Sequence, residues 1–486
     1  MIGLRIYLIT SSLLLSMVGC SSDATQLSVV LDLPPPSSPS YPFGPDGVDT
    51  LRVAVAHSGD ETDLLSTKAP TDTVLTLNGV GFARDLVLHL YGERNGVEFA
   101  YGRSCVFEFD QEASRPEAVH IYFTRVVRWG TGPQPLVANR VGGHTFVRSG
   151  GSVVIAGGDT DAQLELFSPI TGEISLIAKA PTTIGRTGSA LATVANEQAV
   201  IVGGVDPTGM PIDVLESLPN LRDSLTTGIG LRDHAVVGLV SGRALIAGGA
   251  LWNGSTFEVS AAAWEVGTGD GGSITMPVPV GPLGSSRAQH TLTRLSDEVG
   301  AAVLVAGGVD NSGMPVSSVE VYRPLAKVFE PVVGTLTRWK HQAVRLPGGS
   351  VLIIGGFQPP TLPPGPAEPA RELVLFDPIG GTFRLAGMLP AGASVTDFQL
   401  TTLPDGRVLM TGGRDTSGAL NASTFIVRFD VINGLVDVVA TDSLEIARAE
   451  HTTTSLCDGT ILVSGGQTAV AGAPTERYNP TAASRR

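Results

Sequence analysis

Val351-Leu-Ile-Ile-Gly-Gly356 is the stretch on which the reading of the fold turns. Four apolar residues, three of them β-branched, run into two glycines. Such a run suits a strand buried on both faces, and a glycine pair at its end allows φ > 0 and close approach of a neighbouring backbone. Equivalent runs end in Gly157-Gly158, Gly203-Gly204, Gly248-Gly249, Gly307-Gly308, Gly412-Gly413 and Gly465-Gly466. Seven copies at a period of roughly 45 to 60 residues predict the blades of a β-propeller.

Composition agrees with an all-β chain. The 486 residues carry little charge, 60 glycines and 33 prolines, and many Val, Thr and Leu. A net charge of −14 argues against nucleic acid or an anionic membrane surface as partner, because both demand basic patches. Beyond the N-terminus no apolar run is long enough to cross a bilayer as a helix.

Residues Met1 to Cys20 read as an export signal: Arg5, then an apolar stretch from Ile6 to Leu15. The end, Ser16-Met-Val-Gly-Cys20, resembles a bacterial lipobox, with Met17 in place of the usual leucine. The resemblance implies lipidation at Cys20, attachment to the membrane through that lipid only and, with Ser21 following, the outer membrane of a Gram-negative cell. Residues 21–47, with the run Pro34-Pro-Pro-Ser-Ser-Pro39, are expected to be a tether. Residues 48–125 lack the diglycine repeat. They show short alternating runs such as Leu51-Arg-Val-Ala-Val55 and Val119-His-Ile-Tyr-Phe123, with turn signals at Asn78-Gly79 and Asn95-Gly96. These predict a small immunoglobulin-like β-sandwich. His89 and His120 fall inside its strands and read as packing residues.

From residue 126 to 480 the repeat governs. Aligned on the diglycine, His234, His341 and His451 lie fourteen residues upstream, His144 thirteen and His290 seventeen; Ser189 and Phe398 fill the other two slots. Arg140, Arg186, Arg232, Arg287, Arg338 and Arg448 stand just before. A third strand carries an aromatic before a turn, as in Val319-Glu-Val-Tyr-Arg-Pro324, and a fourth strand follows. This pattern resembles the kelch repeat, although its fourth-strand tryptophan is mostly replaced, by Phe329 and Phe383 for instance. The resemblance implies a seven-bladed kelch-like propeller. Val126-Val-Arg-Trp129 is expected to supply the fourth strand of the last blade and so close the ring.

Equivalent histidines sit about a blade apart, too far to share one ion at about 2.1 Å, so they read as structural and neither metal nor cofactor is expected. Galactose oxidase resembles this chain in its kelch-type propeller, but its copper site needs two tyrosines, two histidines and a cysteine. Here the repeat region offers Tyr322 and Tyr478 in third strands and Cys457 in a turn. No sialidase box, Gly-x-Ser-x-Gly, His-Glu-x-x-His or phosphate loop is present. Asp159, Asp206, Asp310 and Asp415 follow the diglycines and suit turns, with a polar rim as the functional alternative. Trp252 and Phe357, in the most distinctive loops, are candidate binding residues beside Asp310 and Asp415. Whether Cys105 and Cys457 pair is left open by the sequence.

The function expected from the propeller architecture is binding of a protein or glycan partner at the cell envelope without catalysis. The rival readings are a carbohydrate-active or sugar-isomerising enzyme with a loop-built site, and a purely structural surface component.

Overall fold

The computed structural model describes residues 26–57, 60–68, 73–109, 118–132, 135–137, 139–158, 163–177, 185–195, 198–218, 224–269, 272–361, 365–470, 472 and 474–481. These residues form strands, turns and loops, with no α-helix among them. The chain is all-β and built from many small sheets, compatible with a propeller-like arrangement. The export signal, Cys20 and Asp159 lie outside the described residues.

Seven of the sheets have four strands each. Their first strands are His144–Val147, Ala190–Val194, Ala235–Gly238, Thr291–Arg294, Gln342–Arg345, Gln399–Thr402 and Thr452–Ser455. Each of these contacts the next in chain order, and the last contacts the first, so the sheets stand in a closed circle. The second strands are mostly apolar and almost wholly buried, as in Val351–Ile354 and Val303–Ala306. In the seventh sheet the outer strand is Arg128–Thr131, which pairs antiparallel with Glu476–Asn479 and sets Trp129 against Tyr478, ring centroids 5.0 Å apart. Phe329 on Tyr322 at 4.8 Å and Phe383 on Phe376 at 5.0 Å repeat this third-to-fourth-strand pairing.

The glycine pairs interlock neighbouring sheets. Gly307 adopts φ 71° and packs so closely that a Cβ there would lie 2.2 Å from the Arg338 carbonyl oxygen and 2.7 Å from Cε1 of His341. Gly249, at φ 86°, has room for no Cβ against His234 of its own repeat, 2.4 Å away. The slot residue is therefore clamped between the first glycine of the preceding repeat and the second glycine of its own. Phe398 lies over Gly355 in the same way, which explains why a flat apolar ring can replace histidine. Each second glycine also donates its N–H to a carbonyl of the next repeat. Gly158 bonds Arg186 at 2.9 Å, Gly308 bonds Arg338 at 2.7 Å, Gly413 bonds Arg448 at 2.7 Å, and Gly466 returns to Arg140 at 3.3 Å.

The N-terminal region corrects the expected tether. Gln26–Asp32 is a strand, antiparallel to Val74–Asn78 and parallel to Val119–Tyr122. Leu27, Val29 and Leu31 alternate into one core with Leu51, Val53, Leu88 and Leu90 of the larger sheet and with Phe123. Farther on, Ser40 is fully buried and its carbonyl accepts from Thr124, and Phe43 packs on Phe123 at 5.7 Å. The physical reason is a period-two apolar pattern ahead of the prolines, which gives a strand enough buried surface to outweigh the proline-rich segment after it. Asp60–Lys68 and Val97–Arg103 are further strands, the latter following the tight turn at Asn95 and Gly96, both with φ > 0. Asn78-Gly79 makes no hairpin; it leads from one sheet to the other.

This region docks on the seventh sheet. Asn479 donates to the carbonyls of Tyr101 at 2.9 Å and Thr124 at 2.8 Å, the Arg477 guanidinium lies 4.2 Å over Tyr122, and Cys105 is disulfide-bonded to Cys457. The bond spans 352 residues of sequence. The strand Arg128–Thr131 already holds both regions together, so the loop that the disulfide effectively closes is short. Cys105→Ser is therefore expected to cost about 2 kcal/mol, the low end for a native disulfide, read as a lower urea midpoint.

Candidate functional site

The most elaborated polar region lies where the first strands begin. The residue just before each slot, or two before it at His144, is in the left-handed region: Gly142, Gly188, Asp233, Gln289, Lys340, Asp397 and Glu450, with φ between 52° and 66°. Five of these seven are not glycine, and each such residue costs on the order of 1 kcal/mol in backbone strain. They are held by backbone bonds running from repeat to repeat. Gln289 N–H bonds Asp233 O at 2.9 Å, Lys340 bonds Gln289 at 3.1 Å, Glu450 bonds Asp397 at 2.9 Å and Gly142 bonds Glu450 at 2.8 Å. The side chains surround two cavities of about 490 and 350 Å³ that share Gln342, Asp397 and Glu450. Since residues of all seven repeats line them, together they form the mouth of the circle.

The mouth mixes charges. Asp397 pairs with Arg414 at 3.2 Å, and Arg414 is anchored in turn by Gln467 and the Gly418 carbonyl. Lys340 is exposed and makes no ion pair within 4 Å among the described residues. Glu450 is held above the usual carboxyl range, first by burial and then by the Asp397 carboxylate, with Arg414 and Lys340 opposing. Burial and a neighbouring carboxylate both favour the protonated form of such a group.

The repeated histidines line the same cavities. His144 Nε2 is 2.9 Å from the Ser189 carbonyl, where it donates; His341 Nε2 is 2.9 Å from Thr291 Oγ1 and His451 Nε2 2.9 Å from Thr411 Oγ1. His144 thus meets a backbone carbonyl, His341 and His451 meet a threonine hydroxyl, His290 lies against the backbone of Ala247, and neither nitrogen of His234 has a partner among the described residues. The arginines do bond backbone. Nη1 of Arg140, Arg186, Arg287 and Arg448 donates to the first glycine carbonyl of its own repeat at 3.0–3.1 Å. Each also pairs with a buried third-strand carboxylate: Glu165, Glu216, Glu320 or Glu476. Arg232 departs from the pattern and lies exposed beside Phe257. Among the described residues no group of three His, Cys, Asp or Glu is placed to hold a metal ion.

Of the residues singled out from sequence, the slot histidines and Ser189 line the mouth itself, whereas Phe357 stands beside it. It bridges to Trp339, next to Lys340, with ring centroids 6.1 Å apart. Trp252 packs edge-on against Phe257 at 5.1 Å in a small separate sheet. Asp310 and Asp415 serve their turns: Asp310 accepts from Ser312 and Met314 N–H at 2.8 and 2.9 Å, and Asp415 from Ser417 and Ala419 N–H at 2.8 and 3.1 Å. Asp206 does the same for Thr208 and Met210. Asp415→Ala is therefore expected to speed amide exchange at Ser417 and Ala419 and to leave partner binding unchanged. Asp233, Lys340, Asp397 and Glu450 carry no motif of their own; only their place just before the slot residue marks them once the repeats are aligned.

No family model and no curated protein matches the chain. Among solved structures it is similar to one titled "Structure of YjhT", at a TM-score of 0.45 and 12% identity, covering 63% of this chain and 99% of that one. That likeness is too low to transfer either fold or role.

Proposed function

We propose that this chain is an exported lipoprotein of a Gram-negative outer membrane, acylated at Cys20, that binds a protein or glycan partner without transforming it. In this reading the circle of four-stranded sheets is a seven-bladed kelch-like propeller, and the region before it a β-sandwich. The cyclic contacts, the recurring diglycine and the Arg-x-x-His pattern support the propeller. The observation that carries the binding role is the mouth, where five non-glycine residues sit in strained left-handed backbone around open polar cavities. Hydroxyl-rich or mixed-charge surfaces suit its alternating carboxylates, amides and lone ammonium.

A binding screen of glycans and envelope proteins tests this on a chain that keeps residues 26–32, since their strand belongs to the core. A partner whose affinity falls with Asp397→Asn or Lys340→Ala supports the reading; one indifferent to both removes it. Labelling with a palmitate analogue tests the anchor. One observation favours the rival enzyme: Glu450 raised beside Asp397 has the form of an acid–base pair. A bound glycan converted to product by wild type and not by Glu450→Gln would decide for the enzyme.

A further inference from the structure

The third repeat breaks its own pattern on the turn side of the sheets, at the strand ends opposite the mouth. In four other repeats the buried glutamate lies across from the residue two before the diglycine: Ile155↔Glu165, Ile201↔Glu216, Val305↔Glu320 and Val463↔Glu476. In the third, Trp264 takes that place against Ile246, and Glu265 sits one position on, opposite Leu245. Its side chain thus leaves Arg232 without the usual partner and faces the fourth sheet. There Glu265 accepts from the Tyr322 hydroxyl at 2.7 Å and from Arg243 Nε at 3.0 Å, and Lys327 Nζ lies 3.8 Å away. Burial and the Glu265 carboxylate hold the Tyr322 hydroxyl far above its ordinary range, so it stays a donor.

Lys327 is itself an exception. Equivalent five-residue turns close on Gly172, Gly381 and Gly434, each with φ near +65° and an N–H bonded back to the first turn residue. In the fourth repeat the same turn, with Lys327 N–H on Arg323 O at 2.7 Å, places lysine there at φ 57°. A side chain kept where glycine costs less strain points to a use for that side chain. The ammonium is half-exposed and opens on a cavity of about 310 Å³ between the third and fourth sheets. Leu239, Val278, Val299 and Leu325 form its apolar wall, with Val299 79% and Leu325 85% exposed at the rim.

We propose that this cavity is a second ligand site, separate from the mouth, for a monoanionic amphiphile: an aliphatic carboxylate whose head meets Lys327 and Arg243 and whose chain lies along the apolar wall. Two cations face a single carboxylate already engaged by a phenol, which leaves one positive charge unmatched in a chain of net charge −14. A carboxylate head supplies that charge, and the wall gains from covering an alkyl chain.

Sodium octanoate titrated into the full chain is the test, with acetate and 1-octanol as controls lacking the chain and the charge. Octanoate is expected to saturate a single site and to bind at least about tenfold more tightly than either control. Lys327→Gly and Lys327→Gln are each expected to weaken it about tenfold, with a melting temperature unchanged or raised in the glycine variant, while Lys327→Arg retains binding. Octanol binding as tightly as octanoate, absence of saturation, or full affinity in both neutral variants overturns the proposal.

Discussion

Acidification from pH 7 to pH 5 is expected to bring the circle of sheets close to unfolding. Burial drives His290, His341 and His451 down to about 3, and His144 and His234 to about 4, from an ordinary value near 6.5. Neighbouring arginines add to this: Arg287 for His290, Arg338 for His341, Arg448 for His451 and Arg186 for His144, where the bond to Ser189 opposes. The unfolded chain therefore binds more protons than the folded one between about pH 6.5 and 3. Stability is full above 6.5 and falls as the pH drops through that window. At pH 5 each histidine contributes a loss of about 2 kcal/mol. Five of them approach the roughly 5–15 kcal/mol that holds a typical domain. Asp32, Glu450 and Glu476, raised by burial, act in the opposite sense, since the folded form of each holds its proton more tightly; they offset a part. Melting temperature recorded from pH 7.5 to 5 checks this, and a flat profile would contradict it. Replacing His451 by Phe, the residue that fills the equivalent slot at position 398, should remove one histidine's share of the slope.

The second large effect concerns the buried ion pairs. Arg448 is fully buried and donates to the Gly465 carbonyl at 3.0 Å, the Pro474 carbonyl at 2.9 Å and Glu476 at 2.7 Å. Glu476 is 1% exposed and also accepts from Glu445 N–H at 2.6 Å. Arg448→Met keeps the volume but leaves a buried carboxylate without its cation and two carbonyls without a donor. The expected cost is about 3–5 kcal/mol in urea unfolding. Arg448→Lys should recover little, because an ammonium cannot reproduce the guanidinium's several directed bonds. The double variant Arg448→Met/Glu476→Leu should be more stable than Arg448→Met alone, since no charge is then stranded. If the single and double variants unfold together, the carboxylate is not what the arginine stabilises.

Both predictions rest on a feature half visible before the structure. The arginine and histidine slots stand out in the sequence because they recur at fixed distances from the glycine pair. Their glutamates recur as well, in Leu164-Glu-Leu-Phe167, Val319-Glu-Val-Tyr322 and Thr475-Glu-Arg-Tyr478, but the aromatic two residues later is the more conspicuous repeat. A carboxylate on a strand usually faces solvent; only the neighbouring repeat, folded over it, makes it a buried partner. Trp252 and Phe357 stood out as bulky residues in unusual loops, whereas Glu450 and Asp397 look like ordinary surface acids until seven separate segments bring them to one opening.

What the residues determined alone is local. Apolar runs of four, glycine pairs and turn chemistry specify strands and their ends, because backbone sterics and side-chain alternation act over a few positions. The tertiary structure decided the rest. It placed Gln26–Asp32 in a core with strands far along the chain, joined Cys105 to Cys457, gathered the mouth, and turned Glu265 away from the pattern of its sister glutamates. Each of these depends on which distant surfaces meet, and that is set by burial over the whole chain rather than by any residue's neighbours in sequence.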